Sequence, residues 1–189
     1  MRRAFFLLLL IALPAGLQAA PERYNLTADT SRVSFTTAMG KQAVHGRFPI
    51  RHADIVLDVS DLSRCRISVT LGIAGASADF PMAADALKSA SVLDARHFPE
   101  AVFTSTGVSG TAAAAQVTGL LTLRGIARPL TLQAEVMRQQ GHTAGDLSHM
   151  TVHLTGKISR ADFGATGWAD MVGDVVTLDI LARITRTGP

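Results

Sequence analysis

The sequence is poor in cysteine, in aromatic residues and in net charge. Cys65 is the only cysteine, so the chain cannot form an internal disulfide and must be stable through packing alone. Phe, Trp and Tyr make up 5% of the residues, with one Trp, and the single cysteine excludes the Cys…Trp…Cys spacing of an immunoglobulin domain. The 18 lysines and arginines stand against 15 acidic residues and are scattered singly. Without a basic stripe, we expect no nucleic-acid partner.

A long hydrophobic run is also missing. The apolar stretch from Ala4 to Leu13 is about ten residues, half of the roughly twenty that a membrane-spanning helix needs. Arg2 and Arg3 precede it and small residues follow, which is the pattern of a cleavable secretory signal peptide. We predict that residues 1–19 are this leader, with Ala20 as the alternative last residue. Residues 20–189 then form one domain, periplasmic or secreted.

Motifs for catalysis and metal binding are absent as well. The sequence has no nucleophile elbow, P-loop, zinc motif or dinucleotide fingerprint. His149 and His153 are the best metal pair, but residues four apart on a strand lie roughly 13 Å from one another, too far to share an ion. Both are expected to face solvent. We predict neither a metal nor a cofactor.

Alternating apolar and polar residues dominate what is present, most clearly in a hairpin at residues 118–136. Leu121 and Leu123 share one face before a turn containing Gly125 and Pro129. The arginines of that turn, Arg124 and Arg128, are interpreted either as solvated turn residues or as partners of a head group at a barrel mouth. The apolar residues after the turn share one face: Leu130, Leu132, Ala134 and Val136.

The same alternation predicts about nine strands. We expect short connections between them, which favours antiparallel neighbours in a closed up-and-down barrel or a two-sheet sandwich. Only residues 80–93 show helical spacing, with Pro81 in the first turn and Asp79 as the cap, and this helix can cover one end of the sheet. The strands are expected at residues 31–37, 42–50, 54–59, 64–73, 101–108, 116–124, 129–138, 149–159 and 174–184.

The inward face can either pack into a dry core or enclose a ligand, because an eight-stranded barrel is just wide enough for both. Cys65 is in phase with this face and is interpreted as a buried, inert thiol. Trp168, in a loop with glycines, either closes a mouth or fills one end of the core. Arg160 and Asp162 lie two apart and are expected to form an ion pair that holds the end of a strand.

Three segments resemble the YceI-like family of exported bacterial proteins. They are Tyr24-Asn25-Leu26-Thr27 through Phe35, the stretch from Phe98-Pro99 through Val117-Thr118-Gly119 to Arg128-Pro129-Leu130, and Ser159-Arg160-Ala161-Asp162-Phe163-Gly164. The resemblance covers nearly the whole mature domain. It implies an all-β, lipocalin-like, antiparallel up-and-down barrel of about eight strands with one short helix. It also implies a non-enzymatic carrier of a polyisoprenoid lipid inside the barrel.

The chain departs from that family at the helix. Relatives often carry an Arg and a His where this sequence has Ala84 and Ala86, although Leu87-Lys88-Ser89 is retained. The resemblance therefore implies that a head group is held differently here, or that the ligand has a less charged head, such as a quinone. The expected ligand-binding residues are Phe35, Phe48, Ile67, Val69, Leu71, Leu87, Phe103, Leu121, Leu123, Leu132, Val152, Leu154, Trp168, Arg160 and Asp162.

Two other functions stay open from the residues alone. One is an enzyme that isomerises or hydrolyses a lipid with Arg160 and Asp162. The other is a solid barrel that serves as an interaction module, for instance for a membrane partner. For the carrier, the expected partner is an isoprenoid lipid or quinone, and transient membrane contact and a homodimer are both left open.

Overall fold

Antiparallel strands close on themselves in the computed structural model, which describes residues 20–111, 113–137 and 146–188. The predicted leader lies outside the described residues. The strands are β1 (Glu22–Leu26), β2 (Arg32–Met39), β3 (Gln42–Phe48), β4 (Ile50–Leu57), β5 (Arg66–Gly72), β6 (Ser77–Ala78), β7 (Glu100–Gly110), β8 (Ala114–Leu123), β9 (Ile126–Met137), β10 (His149–Ser159) and β11 (Val172–Arg186). The described chain also contains the helix α1 (Pro81–Lys88) and two 3-10 turns, Leu62–Arg64 and Ala161–Phe163.

The ring closes through β11, the longest strand. Its first part pairs with β2, and its end pairs with β1, where Ile184 lies opposite Leu26. Because β1 pairs with β4 and β2 pairs with β3, the segments β1 and β2 together act as one strand of the wall, and β3 and β4 together act as its neighbour. The second of these wall strands is interrupted at Pro49. With β5 and β7 to β11, the described residues form eight wall strands, and β6 pairs only with β3. The prediction of an eight-stranded antiparallel barrel is confirmed.

The hairpin of β8 and β9 is tighter than the sequence suggested. Leu123 pairs with Ile126, so the turn consists of Arg124 and Gly125 alone, at φ values of 51° and 72°. Two consecutive left-handed residues are what a two-residue hairpin with twisted strands requires. The expectation that Pro129 shapes the turn was wrong, because it lies in β9 opposite Leu120. Proline is tolerated there since β10 pairs with β9 only from Gln133 onward.

Helix α1 is shorter than predicted and is capped differently. It ends at Lys88, where the Ser89 hydroxyl donates to the Ala86 carbonyl at 2.7 Å. Leu93 lies beyond the end of the helix. The chain folds back after Lys88, and the Leu93 N–H donates to the Leu87 carbonyl. Asp79 is not the cap. Its carboxylate accepts the His45 backbone N–H at 2.9 Å and so fastens the start of the helix to β3.

Two clusters of buried side chains lie along the interior. The larger includes Leu121, Leu123 and Phe163, and the smaller one contains Tyr24, Ile55, Met150 and Ile184. Alternation did not predict β1, which brings Tyr24 into the smaller cluster. Burial there raises the pKa of the Tyr24 phenol, with Arg186 acting in the opposite direction. No helix among the described residues is long and apolar enough to cross a membrane.

Candidate ligand cavity

The two clusters of buried side chains do not meet completely in the middle of the barrel. A cavity of about 450 Å³ runs between them, lined by residues of both clusters such as Leu121, Leu123, Met150 and Ile184. Its volume is within the roughly 300–1,000 Å³ of small-molecule sites. Within the described chain, the polar side chains on its wall are those of Thr37, Thr111 and Arg160. The cavity is therefore suited to an apolar ligand.

The structure brings almost all of the predicted ligand residues to this wall. The exception is Asp162, which is exposed and does not line the cavity. That these residues bind a ligand stays a prediction. The residues that do line it are Phe35, Phe48, Ile67, Val69, Leu71, Leu87, Phe103, Leu121, Leu123, Leu132, Val152, Leu154, Trp168 and Arg160.

Aromatic rings on the wall depend on glycines of neighbouring strands. The ring of Phe35 lies where a side chain on Gly46 would stand, and the ring of Phe103 lies where one on Gly119 would stand. Phe35 also contacts Phe48, with ring centroids 5.1 Å apart and planes tilted by 31°. A Cβ at either glycine would overlap the ring and also a backbone carbonyl, that of Ser77 beside Gly46 and that of Thr104 beside Gly119, so both the ring and the wall would have to shift. The glycines thus help to set how much space remains.

Sequence reasoning missed the two ends of the cavity. Ile55 and Ile184 share the alternation of their strands, so the signal was present but was not assigned to ligand binding. Met82 and Met171 also line the cavity, but they lie in α1 and in a loop, where a two-residue period gives no information. Only the closed ring shows that these segments meet its opening.

Arg160 is buried and engages backbone atoms. Its guanidinium donates to the carbonyls of Gly173 at 3.1 Å, Ala165 at 2.5 Å, Gly167 at 2.7 Å and Val172 at 2.9 Å. The expected ion pair with Asp162 was wrong, because residues 161–163 form a 3-10 turn that leaves Asp162 exposed. Arg160 instead fastens the loop over the cavity, at Ala165 and Gly167, to the first two residues of β11.

Neither Arg124 nor Arg128 lines the cavity. Arg124 is half-buried in the turn, whereas Arg128 lies in β9 and is exposed. Arg124 donates to the carbonyls of Ala90 at 2.8 Å and Val92 at 2.6 Å, just after α1. Arg128 donates to the backbone carbonyl of Asp162 at 3.1 Å. The interpretation as a solvated side chain therefore applies to Arg128 but not to Arg124, and a role at a head group stays a prediction. The guanidinium N–H groups of these side chains donate to backbone carbonyls of the segments that cover this end of the barrel, and so fasten the β8–β9 hairpin to those segments.

The mouth of the cavity lies at this covered end. Met82, Trp168 and Met171 line the cavity while remaining 79%, 54% and 53% exposed. Helix α1 contributes Ala83, Ala86 and Leu87 to the same lining, which agrees with the expected position of a helix over one end. Trp168, at φ 62°, stands at the opening and does not fill the core. We call Met82, Trp168 and Met171 the rim.

Cys65 lies on the wall near the other end and is 2% exposed. Its thiol donates to the Asp58 carbonyl at 3.7 Å, and burial raises its pKa, which disfavours the reactive thiolate. The Asp58 carboxylate accepts the Ser60 hydroxyl at 2.6 Å and pairs with Arg64 at 3.1 Å. These contacts, with the Ser60 hydrogen bond first, hold the pKa of Asp58 below its usual value.

The two histidines of β10 lie on the outer surface. His149 is exposed, and His153 is hydrogen-bonded to Asp179 at 2.9 Å across the pair of β10 and β11. Across the described ranges, no group of three or more His, Cys, Asp or Glu side chains is placed to hold a metal ion. The outward direction of the pair follows from the inward direction of Met150 and Val152.

Comparison with known proteins adds to this geometry. The model of the YceI-like domain matches residues 24–184. The chain belongs to the YceI-like family. Protein YceI of Salmonella arizonae is 30% identical over 128 residues, which are 68% of this chain and 66% of the relative. The match thus spans just under two thirds of that curated relative's length.

Solved structures of YceI-like and similar proteins share the fold at lower identity. BcnA of Burkholderia cenocepacia has a TM-score of 0.75 at 21% identity and covers 84% of this chain and 99% of its own. A polyisoprenoid binding domain from Saccharophagus degradans, implicated in plant cell wall breakdown, has a TM-score of 0.64 at 14% identity. It covers 88% of this chain and 99% of its own. At these identities, the likeness supports the fold alone.

Proposed function

We propose that the protein is a periplasmic or secreted carrier that sequesters an isoprenoid lipid, either a polyprenyl compound or an isoprenoid quinone, inside the barrel. The observation that carries the proposal is the apolar cavity that runs between the two clusters of buried side chains. Removing an apolar chain from water contributes about 25 cal/mol per Å² of buried surface, so binding needs no catalytic group. The Saccharophagus degradans domain, whose name gives polyisoprenoid binding, supports this choice of ligand.

The lining favours a ligand with an uncharged head. Ala86 lines the cavity, at the position where the family resemblance implies a histidine in relatives. The guanidinium of Arg160 already donates to four carbonyls, so it has little capacity left for a phosphate. An unpaired charge inside this wall is costly. We therefore favour a quinone or a prenyl alcohol over a prenyl phosphate.

The two alternative functions have less support. The hypothesis of an enzyme used Arg160 and Asp162 together, and the structure separates them, with Asp162 outside the cavity. A solid barrel would have no interior space, whereas this barrel contains a cavity of about 450 Å³. An enzyme would regain support if Asp162→Asn abolished turnover of a bound lipid without affecting its binding.

Organic extraction of the purified protein tests the proposal. The full chain is produced by export in a host that makes prenyl lipids, and the extract is analysed by mass spectrometry. We expect one class of intact prenyl compound, close to one molecule per protein. An empty protein, or one that holds only straight-chain fatty acids, would contradict the proposal.

A further inference from the structure

We propose that the rim docks on the surface of a neutral phospholipid bilayer, where the barrel loads or releases its cargo. This inference rests on the proposed function. The rim is distinguished by three apolar side chains that are each more than half exposed and that also line the cavity, whereas Val59, near the other end, lines it at 40% exposure. They therefore form a continuous apolar path from the outside to the interior. A cargo that leaves a bilayer along this path does not have to cross water.

The rim is held in place by backbone contacts. The Met171 carbonyl accepts the N–H of Gly40 at 2.9 Å, at the tip of the β2–β3 hairpin, and the Met171 N–H donates to Trp168 at 3.0 Å. On the other side of the loop, the Gly167 N–H donates to the Ser91 carbonyl at 2.8 Å, after α1. Exposed apolar side chains on such a fixed frame indicate a contact surface.

The residue types of the rim fit the interface of a bilayer. Tryptophan is enriched at membrane surfaces because its ring has an apolar body and one polar N–H. Methionine is flexible and adapts to an irregular apolar surface. Trp168 is 54% exposed and lies in a loop between Gly167, which is hydrogen-bonded to Ser91, and Met171, so that its ring can enter the headgroup region without unfolding any strand.

Charges on the segments that carry the rim, and on the β2–β3 hairpin beside Met171, favour a neutral surface over an anionic one. In α1, Asp85 and Lys88 pair at 3.6 Å, and the segments beside Met171 contribute Asp170 and Lys41, both exposed. These two acids and two bases cancel. Anionic membranes are usually recognised by clusters of lysine and arginine, which contribute about 1 kcal/mol each. Docking here should depend on apolar contact and only weakly on salt.

The intrinsic fluorescence of the protein tests this directly, since Trp168 is its only tryptophan. Lipid-free protein, prepared by extraction, is titrated with phosphatidylcholine vesicles. We expect a blue shift of the Trp168 emission together with co-sedimentation. Both should persist at about 1 M salt, where the Debye length falls to about 3 Å.

A methionine at the other end of the barrel provides the matched control. Met137 is 51% exposed, against 53% for Met171. It is the last residue of β9, and the first residue of β9 directly follows the β8–β9 turn, which Arg124 fastens near the mouth. With about 3.3 Å per residue, the twelve residues of β9 place it more than 30 Å along the strand. Met171→Asp should weaken vesicle binding at least about tenfold. Met137→Asp should leave it unchanged.

The outcomes separate docking from the proposed function. A protein that binds vesicles but yields no prenyl lipid on extraction would keep the docking and overturn the carrier. One that yields the lipid but gives no Trp168 shift would overturn the docking, as would equal effects of the two aspartate variants. A dimer that Met171→Asp dissociates, without vesicle binding, would assign the rim to a second copy of the chain instead.

Discussion

Neighbouring residues on one strand of this barrel have opposite environments. Leu123 is 8% exposed and lines the cavity, whereas Thr122 is half-buried and lies outside it. Because side chains alternate along a strand, a shift of one residue in pairing would exchange these environments. The pair therefore reports on the register of the wall as well as on the ligand.

At this scale, we predict that Leu123→Asp abolishes lipid retention and that Thr122→Asp barely affects it. An unpaired carboxylate inside the apolar wall costs several kcal/mol, while the same group outside remains hydrated. The measurement is the amount of extracted lipid per protein, with circular dichroism to confirm that both variants fold. Similar losses in the two variants would show that this face does not line the binding site.

Single side chains also link separate elements. Arg160 connects the end of β10 to the loop that carries Trp168, through carbonyls on residues 165–173. Arg124 and Arg128 connect the β8–β9 hairpin to the segment after α1 and to the Ala161–Phe163 turn. The mouth is thus assembled from loops whose backbone carbonyls are paired by arginine side chains.

At the scale of elements, we predict that Arg160→Ala lowers the free energy of unfolding by about 3 kcal/mol, since it leaves several carbonyls near the core without donors. Denaturant unfolding gives this value, and limited proteolysis should show faster cleavage within residues 164–171. Arg160→Lys should recover only part of the loss, because an ammonium group cannot replace a fork of guanidinium donors.

Asp162→Ala is the control for this prediction, because its side chain is exposed and lies outside the cavity. It should change the free energy of unfolding by less than about 0.5 kcal/mol. If the Asp162 variant were as unstable as the Arg160 variant, the turn itself, and not the carbonyl contacts of Arg160, would stabilise the loop.

The whole molecule is a closed wall around an unfilled centre. Leaving this centre without a ligand forfeits packing contacts that the lining side chains would otherwise make. A ligand that binds only the folded barrel stabilises it by mass action, by about 2.7 kcal/mol when its concentration is a hundredfold above its Kd.

At this scale, we predict that removal of the bound lipid lowers the melting temperature of the protein by about 5–10 °C, since a domain of this size shifts by about 2–4 °C per kcal/mol. Calorimetry of extracted and loaded protein measures the difference. Adding back the extracted lipid should restore the higher melting temperature, and a straight-chain lipid should not. Equal melting temperatures in all samples would argue against a specific ligand.

The two-residue period of the sequence was sufficient to predict most of the wall. It assigned nine of the strands and the inward direction of residues such as Phe103, Leu121 and Leu132, because alternation fixes which face a side chain occupies. It missed β1 and β6, which are short, and it misplaced the limits of the β8–β9 turn, where turn conformation overrides the pattern. The resemblance to the YceI-like family, confirmed by comparison, added the closed barrel.

The hollow interior of the barrel is evident only once the ring of strands is closed in three dimensions. Alternation states which side chains face inward, but not how far apart opposite walls stand, and that distance depends on strand number and closure. Arg124 and Arg128 each donate to a carbonyl 34 residues away, and Arg160 donates to carbonyls that include one in an irregular loop. No local sequence pattern predicts such partners. The position of Trp168 at the mouth follows from the contact of Arg160 with Gly167 and from the long-range hydrogen bond between Gly167 and Ser91.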